Sequence, residues 1–409
     1  MLNQNQESKL LNHDDDSQYT VKDDQLKNRR SIIWINQHAD FVGGAEKYII
    51  DTASKMKEQG FRNILLYEVS GQISQRFVSI FDESFPMVDL ATQAKALAAD
   101  ICYVHCLSDE ALLNDIFHLP GKKIRFIHDH KILCPREHKY TAIKKKTCRS
   151  NVGLRCIACC GMMVKKSNNY QLISLSHFKS LQKVNQRFDR LIVASHYLKN
   201  ELIDEGFDRT KISINPLYTT ADDNSEYTNN KHTEILFVGQ LLTGKGLDIL
   251  IEAMRHVDPA ISLTVCGSGA QEDVYKTLVN RYHLTNRVNF VGHLDSSQLP
   301  LKYQQALAVC IPSRAPETFC LTGLEALKYK TPVIAANVGG MSEWLKHSYN
   351  SLMFESGDIQ GLSRCIQTLY EHVDLAQKLG EQGYNDVNKY YLPEHHVSTL
   401  MQAFYGVAP

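Results

Sequence analysis

What constrains this chain most is an alternation that runs, stops and starts again. In the first series "SIIWINQ" precedes a helical pattern of Ala45, Tyr48, Ile49, Thr52 and Met56 that Gly60 ends, and "NILLYEV", "ADICYVHCL", "KIRFIHDH", "RLIVAS" and "KISINPL" follow. A polar stretch, "TTADDNSEYTNNKH", interrupts at Thr219–His232. The second series then runs through "EILFVGQ", "SLTVCGSG", "RVNFVGH", "AVCIPS" and "TPVIAA", with helices predicted at 246–256, around 273–282, near 299–305 and at 321–329. Short apolar runs alternating with helices are the pattern of a parallel sheet covered on both faces. The fold class is therefore α/β, as two doubly wound Rossmann-like domains facing each other across a cleft. The expected organisation is a disordered polar tail over 1–30, a first domain over 31–218 and a linker over 219–232, then a second domain over 233–390. A helix over 391–409 is long enough to cross back to the first domain. Length agrees, since 409 residues exceed what one core holds and 43% hydrophobic residues supply two.

No stretch of about 18 apolar residues exists, so no membrane span is expected. The polar N-terminus lacks an apolar signal region, and the expected location is the cytoplasm. Net charge is zero but unevenly spread: Gly121 to Lys166 holds 13 Lys/Arg against Asp129 and Glu137, a local excess of +11. That segment reads either as a solvated loop or as a surface facing anionic lipid headgroups at the inner membrane face or a phosphorylated acceptor. No nucleic-acid partner is expected. Five of the eleven cysteines, Cys134, Cys148, Cys156, Cys159 and Cys160, fall within 27 residues, in an insert over 131–166. In a cytosolic chain they read as a structural zinc site using four of the five, or as reduced thiols or a labile disulfide packing a loop.

The chemistry gathers at strand ends. In "VGQLLTGKGLDILIEAM" Gly239 closes a strand, Gly244 and Gly246 loosen a loop and Lys245 precedes a helix, an arrangement suited to phosphate. In "PETFCLTGLEALKYKTPVIAANVGG" Glu317 lies in the loop after a strand and Glu325 about one turn into the next helix. Both would stand on one rim of the sheet. Ionised carboxylates accept hydrogen bonds from vicinal hydroxyls, so the pair suits a ribose and a sugar ring better than a shared-proton dyad. Read alone, Glu325 is also what a helix N-terminus attracts.

From Glu317 to Glu325, followed by "TPVIAANVGGMSEWL", the chain resembles the signature of glycosyltransferase family 4, retaining enzymes of the GT-B fold. The resemblance extends through Gly43-Gly44, "VGQLLTGKG", "LTVCGSG", "VNFVGHL" and "LMFESGD", and so covers roughly Ile32 to Val397. It implies a hexosyltransferase moving a sugar from a nucleotide-diphosphate sugar to a glycan or lipid-linked acceptor, in polysaccharide, lipopolysaccharide or glycolipid synthesis. Retention by front-face attack and no cofactor or metal for catalysis are implied as well. It also assigns roles: Glu325 to the ribose, Glu317 to sugar hydroxyls beside the reaction centre, Lys245 to the diphosphate and His128 to the donor sugar. Gly239, Gln240, Phe319, Cys320, Leu321 and Thr322 would complete the donor site, with Gly43 and Gly44 closing over the phosphates and Gly339-Gly340 turning close to the nucleotide. The chain departs from the pattern at Gln240, where Arg is usual, at Cys320 and Lys330, where Gly is usual, and at "NPLYTT", which keeps only Asn215 of a usual turn. Gln240 removes a fixed charge that Arg314 or Arg136 would have to replace. It also motivates a rival: a catalytically impaired sugar-nucleotide-binding or scaffold protein on the same fold. An epimerase fits the glutamate motif poorly, and no lysine motif of a pyridoxal phosphate phosphorylase is evident.

Overall fold

The computed structural model describes residues 30–90, 92–93, 97–141, 146–159, 161–166, 169–220, 233–295 and 297–406. The expected tail and nearly all of the expected linker lie outside them. Two parallel sheets organise the rest. The first contains β1 (Ser31–Asn36), β2 (Arg62–Glu68), β3 (Glu83–Met87), β4 (Ile101–Val104), β5 (Lys122–Ile127), β8 (Arg190–Val193) and β9 (Ile212–Ile214), in the order β3-β2-β1-β4-β5-β8-β9. Between β5 and β8 a small antiparallel hairpin, β6 (Met163–Lys166) and β7 (Asn169–Leu172), stands apart. The second sheet contains β10 (Glu234–Val238), β11 (Ser262–Cys266), β12 (Val288–Gly292), β13 (Ala308–Ile311), β14 (Val333–Ala336) and β15 (Ser351–Phe354), in the order β12-β11-β10-β13-β14-β15.

Both sheets have a switch point, where the chain leaves one strand, builds outward and returns to the other side. In the first it lies between β1 and β4, in the second between β10 and β13. Central strands are buried on both faces: all six residues of β1 and all four of β13 and β14 are inaccessible. This is why they read as continuous apolar runs. Edge strand β3 escaped the sequence reading because Pro86 and two polar residues break its apolar pattern.

The helix Gly44–Glu58 buries Tyr48, Ile49, Thr52, Ala53 and Met56 on the first sheet, the face predicted by its spacing. In the second domain the helix predicted at 246–256 is shorter, Leu247–Ala253, and tightens into a 3-10 turn at Met254–His256. The C-terminal helix, Pro393–Tyr405, returns to the first domain. Lys122 Nζ donates to the carbonyls of Ala403 and Phe404, both at 3.1 Å, and Tyr48 Oη meets His396 Nε2 at 2.9 Å. The two chain crossings run side by side, with Thr219 N donating to the Tyr391 carbonyl and Asn215 Nδ2 to the His396 carbonyl.

The loop after β10 depends on one backbone conformation. Gly246 has φ 71°, and a Cβ there would stand 1.9 Å from the Pro312 carbonyl oxygen. Gly246→Ala should therefore destabilise the protein by at least about 2 kcal/mol and displace the preceding Lys245. Thermal unfolding followed by circular dichroism checks the first effect; an unchanged Tm would mean that the loop tolerates a side chain there.

Candidate active site

The two loops of the second sheet's switch point meet. Gly244 and Lys245 follow β10, while Ser313 to Cys320 follow β13. Half-buried Lys245 donates from Nζ to Glu317 Oε1 at 2.8 Å, and Ser313 Oγ donates to the same oxygen at 2.7 Å. Burial works to raise the Glu317 carboxyl. Lys245, the two hydrogen bonds and nearby His130 overcome it and hold the group below the usual carboxylate range. Lys245 is in turn held above its ordinary value, Glu317 outweighing its own burial.

The glycine turn after β14 explains how Glu317 is placed. Gly339 takes φ 63°, and a Cβ there would lie 2.2 Å from the Glu317 carbonyl oxygen. Gly340 N then donates to that carbonyl at 2.7 Å. The turn expected beside the nucleotide is built first against the backbone of the glutamate. Its other side abuts Ser195 of the first domain, whose Oγ lies 2.8 Å from where a Gly340 Cβ would be.

Glu325 sits in the helix Leu321–Lys328, with Tyr303 Oη donating to its Oε2 at 2.9 Å. Lys47, from the first domain's first helix, reaches Oε1 across the cleft at 3.8 Å while also holding Asp51 at 2.8 Å. Here burial prevails: the Glu325 carboxyl is pushed above its ordinary value, Lys47 and Tyr303 only partly opposing. The two glutamates thus have opposite electrostatics on one rim.

The remaining predicted residues divide. Gly44 faces Leu321 across the cleft, the leucine Cδ1 lying 3.6 Å from a virtual Cβ, and Gly43 caps the helix Gly44–Glu58 in extended conformation. Phe319 is buried, stacked on Trp344 with centroids 5.5 Å apart, and its carbonyl accepts from Trp344 Nε1 at 3.0 Å. Cys320 is left-handed at φ 83°, and Lys330 likewise at φ 58°, so both departures from glycine fall where glycine is the unstrained residue. Thr322 is half-buried in the first turn of the same helix, Gly239 closes β10, and Gln240 is exposed. Arg314 cannot replace the charge missing at Gln240, because both its terminal nitrogens are taken by the Asp248 carboxylate.

His128 has one ring edge engaged within its own domain. Its Nε2 meets Nδ1 of buried His105 at 3.0 Å, so that edge of the ring serves the first domain's core. Its carbonyl, by contrast, accepts from Thr318 Oγ1 at 2.8 Å and ties the first domain to the residue after Glu317. Burial drives its imidazole down to about 3. His130, which sequence reasoning missed, is the histidine that senses Glu317; it meets Tyr197 Oη at 3.0 Å and is also pushed down to about 3, chiefly by burial. The "HDH" just after β5 was the available signal, a second histidine two positions from the first in the same loop.

In the cysteine insert the described cysteines form no disulfide. Cys134, Cys148, Cys156 and Cys159 are free thiols, with Cys159 Sγ turned to the Cys156 carbonyl and Cys148 Sγ to that of Ser150. Among the described residues no three His, Cys, Asp or Glu side chains are placed to hold a metal ion, and Cys160 lies outside them.

Two outcomes follow. Glu325→Gln keeps the Tyr303 hydrogen bond but removes a buried charge. It should raise the Tm of unliganded protein while weakening nucleoside binding about 10-fold, the value of a lost charge-assisted bond; differential scanning fluorimetry and titration calorimetry read the two. His128, His130 and His396 are neutral in the fold, with values of about 3, 3 and 4, and His105 lies well below its ordinary value. Their folded values are depressed, so the unfolded chain takes protons first. Stability is full above about pH 6.5 and is lost as pH falls toward those values, by up to about 1.4 kcal/mol per unit for each ring. Urea unfolding at pH 7 and pH 5 checks this, and equal stability at both would contradict it.

Comparison with known proteins adds to this geometry. Residues 219–386 match the family model described as Glycosyl transferases group 1. An uncharacterized glycosyltransferase of Methanocaldococcus jannaschii is 29% identical over 195 residues, 48% of this chain and 53% of that protein. The chain thus spans about half of that relative's length. A D-inositol 3-phosphate glycosyltransferase of Corynebacterium glutamicum is 23% identical over 83% of this chain and 86% of its own. Among solved structures, Anabaena HepE in complex with UDP superposes with a TM-score of 0.71 at 18% identity, covering 92% of this chain and all of that one. The fold is GT-B, and the sequence matches support a glycosyltransferase of the group 1 type, carried on the second domain.

Proposed function

We propose that the protein is a retaining glycosyltransferase, of family 4 type, that takes its sugar from a nucleotide-diphosphate donor. The observation that carries the reading is the Lys245–Glu317 pair, which spans the second sheet's switch point, with Glu325 eight positions on and oppositely tuned. Glu325 accepts from the ribose hydroxyls. Glu317 orients the transferred sugar, its Oε1 fixed by Lys245 and Ser313. Lys245 neutralises charge on the departing diphosphate. The acceptor oxygen forms a bond to the anomeric carbon on the face from which the diphosphate leaves. The carbon–oxygen bond to the diphosphate breaks, and the leaving group takes the acceptor proton. Protein cations do the neutralising, so no metal is assigned a step.

For the acceptor, the reading is a glycan or lipid-linked sugar presented at the inner face of a membrane. Among the described residues no helix is long and apolar enough to cross one. Surface contact is supported by exposed apolar side chains in the basic insert, Leu154 at 77% and Ile157 at 59%, beside exposed Arg149 and Arg155, and by Leu172 at 80% on β7 just after it. Flotation with vesicles containing phosphatidylglycerol should capture the protein at low salt and release it at high salt; capture that ignores salt, or none, removes this part of the reading.

The donor is tested without an acceptor. Purified protein is incubated with a panel of nucleotide sugars, uridine donors first because HepE holds UDP, and free nucleoside diphosphate is measured. Slow hydrolysis of one donor is expected, with a loss of about 100-fold or more in Glu317→Ala and Lys245→Ala. Exposed Gln240 favours a second reading, a protein that binds the donor without turning it over. Tight binding without hydrolysis, with or without candidate acceptors, would establish that one instead.

A further inference from the structure

The cradle around Lys245 is short of free positive charge. A nucleoside diphosphate brings several negative charges, yet the nearby cations are already committed. Lys245 holds Glu317, Lys47 holds Asp51 and Glu325, and Arg314 holds Asp248. In the loop after β5, Lys131 faces Asp129 at 3.7 Å and buried Lys139 holds Glu201 at 2.7 Å. Gln240 contributes none.

Arg136, in the same loop, is different. Its Nη1 is buried and has no hydrogen-bond partner. Such a group costs free energy unless something completes it. The guanidinium lies against Tyr140, 5.8 Å from the ring centroid. Tyr140 in turn packs on the second domain's glycine loop, its Cε1 3.3 Å from a virtual Cβ at Gly244, the residue before Lys245. His138 stacks beside Tyr140 at 5.7 Å and feels the charges of both Arg136 and Lys245. The loop is held in shape at some cost. Glu137 and Lys139 are left-handed at φ 65° and 50°, pinned by Glu137 N to the Cys134 carbonyl at 2.8 Å and Cys148 N to the Lys139 carbonyl at 2.7 Å.

We infer that Arg136 binds the diphosphate across the cleft, its unpartnered N–H donating to a non-bridging oxygen of a nucleoside diphosphate seated at Lys245. The inference rests on the nucleotide-sugar reading above. It assigns to the first domain a charge that the second domain lacks at Gln240, through a planar fork suited to phosphate.

Titration calorimetry on the full chain tests it, with UDP, GDP and ADP as probes and the matching nucleosides as controls. Arg136→Gln should weaken binding of the preferred diphosphate about 10-fold or more and leave its nucleoside unchanged. Arg136→Lys should recover part of the loss, and adding Gln240→Arg to Arg136→Gln should recover more. Should Arg136→Gln fail to fold, Arg136→Lys carries the test, as a loss confined to the diphosphate. Unchanged diphosphate affinity overturns the inference, as does an equal loss for diphosphate and nucleoside, which would mark a merely structural arginine. If the wild-type protein binds none of the diphosphates, the nucleotide-sugar reading itself falls and takes this inference with it.

Discussion

The cleft is organised around one carboxylate. Glu317 is held at its side chain by Lys245 and Ser313, at its backbone by Gly339 and Gly340, and through the next residue by the His128 carbonyl. These restraints come from four loops, that of Glu317 itself among them, and from both domains. A carboxylate so fixed cannot swing to meet a ligand, so the ligand must be positioned to meet it, which is the economy of a preorganised site. The opposed electrostatics of Glu317 and Glu325 follow from the same placement. One carboxylate has a cation at full hydrogen-bond distance, the other a tyrosine and a lysine 3.8 Å away that is shared with Asp51.

Behind the cleft the first domain buries a cluster of aromatic and imidazole rings. Tyr48, Tyr103, His105, Phe126, His128 and His396 pack in contact, with Tyr48 Oη between Tyr103 Oη and His396 Nε2. The rings reach from the donor-side loop at His128 to the helix that returns from the second domain. Hydrogen bonds tie the polar rings to one another, with His105 Nε2 left without a partner, and their neutrality is what permits burial.

Much of this was legible in the sequence, and the limits are physical. The two sheets were legible because strands buried on both faces leave uninterrupted apolar runs, and the glutamate loop because its residues are close in sequence. Edge strand β3 was not, since an edge tolerates proline and polar residues. The site residues that were missed, Lys47, His130 and Tyr303, belong to it only through tertiary contact. Nothing in the spacing of Lys47 and Glu325, far apart in the chain, announces that they meet. His128 was placed at the right loop, but its contact with His105 was not legible, because a strand-end histidine has two ring edges and sequence does not say which faces inward. The glycine departures at Cys320 and Lys330 read as local oddities; with backbone angles known, they mark stored strain.

The seam between Ser195 and Gly340 bears on how such a molecule moves. Glu343, on the turn that begins at Gly340, accepts from the backbone N–H of His196 at 2.8 Å and of Tyr197 at 2.5 Å, so the two domains are riveted at one edge of the cleft. No spare volume exists there, and sliding would break both bonds at once. A joint of that kind turns and does not shear. The domains also touch where Gly44 meets Leu321 and where Tyr140 meets Gly244, so a rotation about the riveted edge changes those two contacts and with them the width of the cleft.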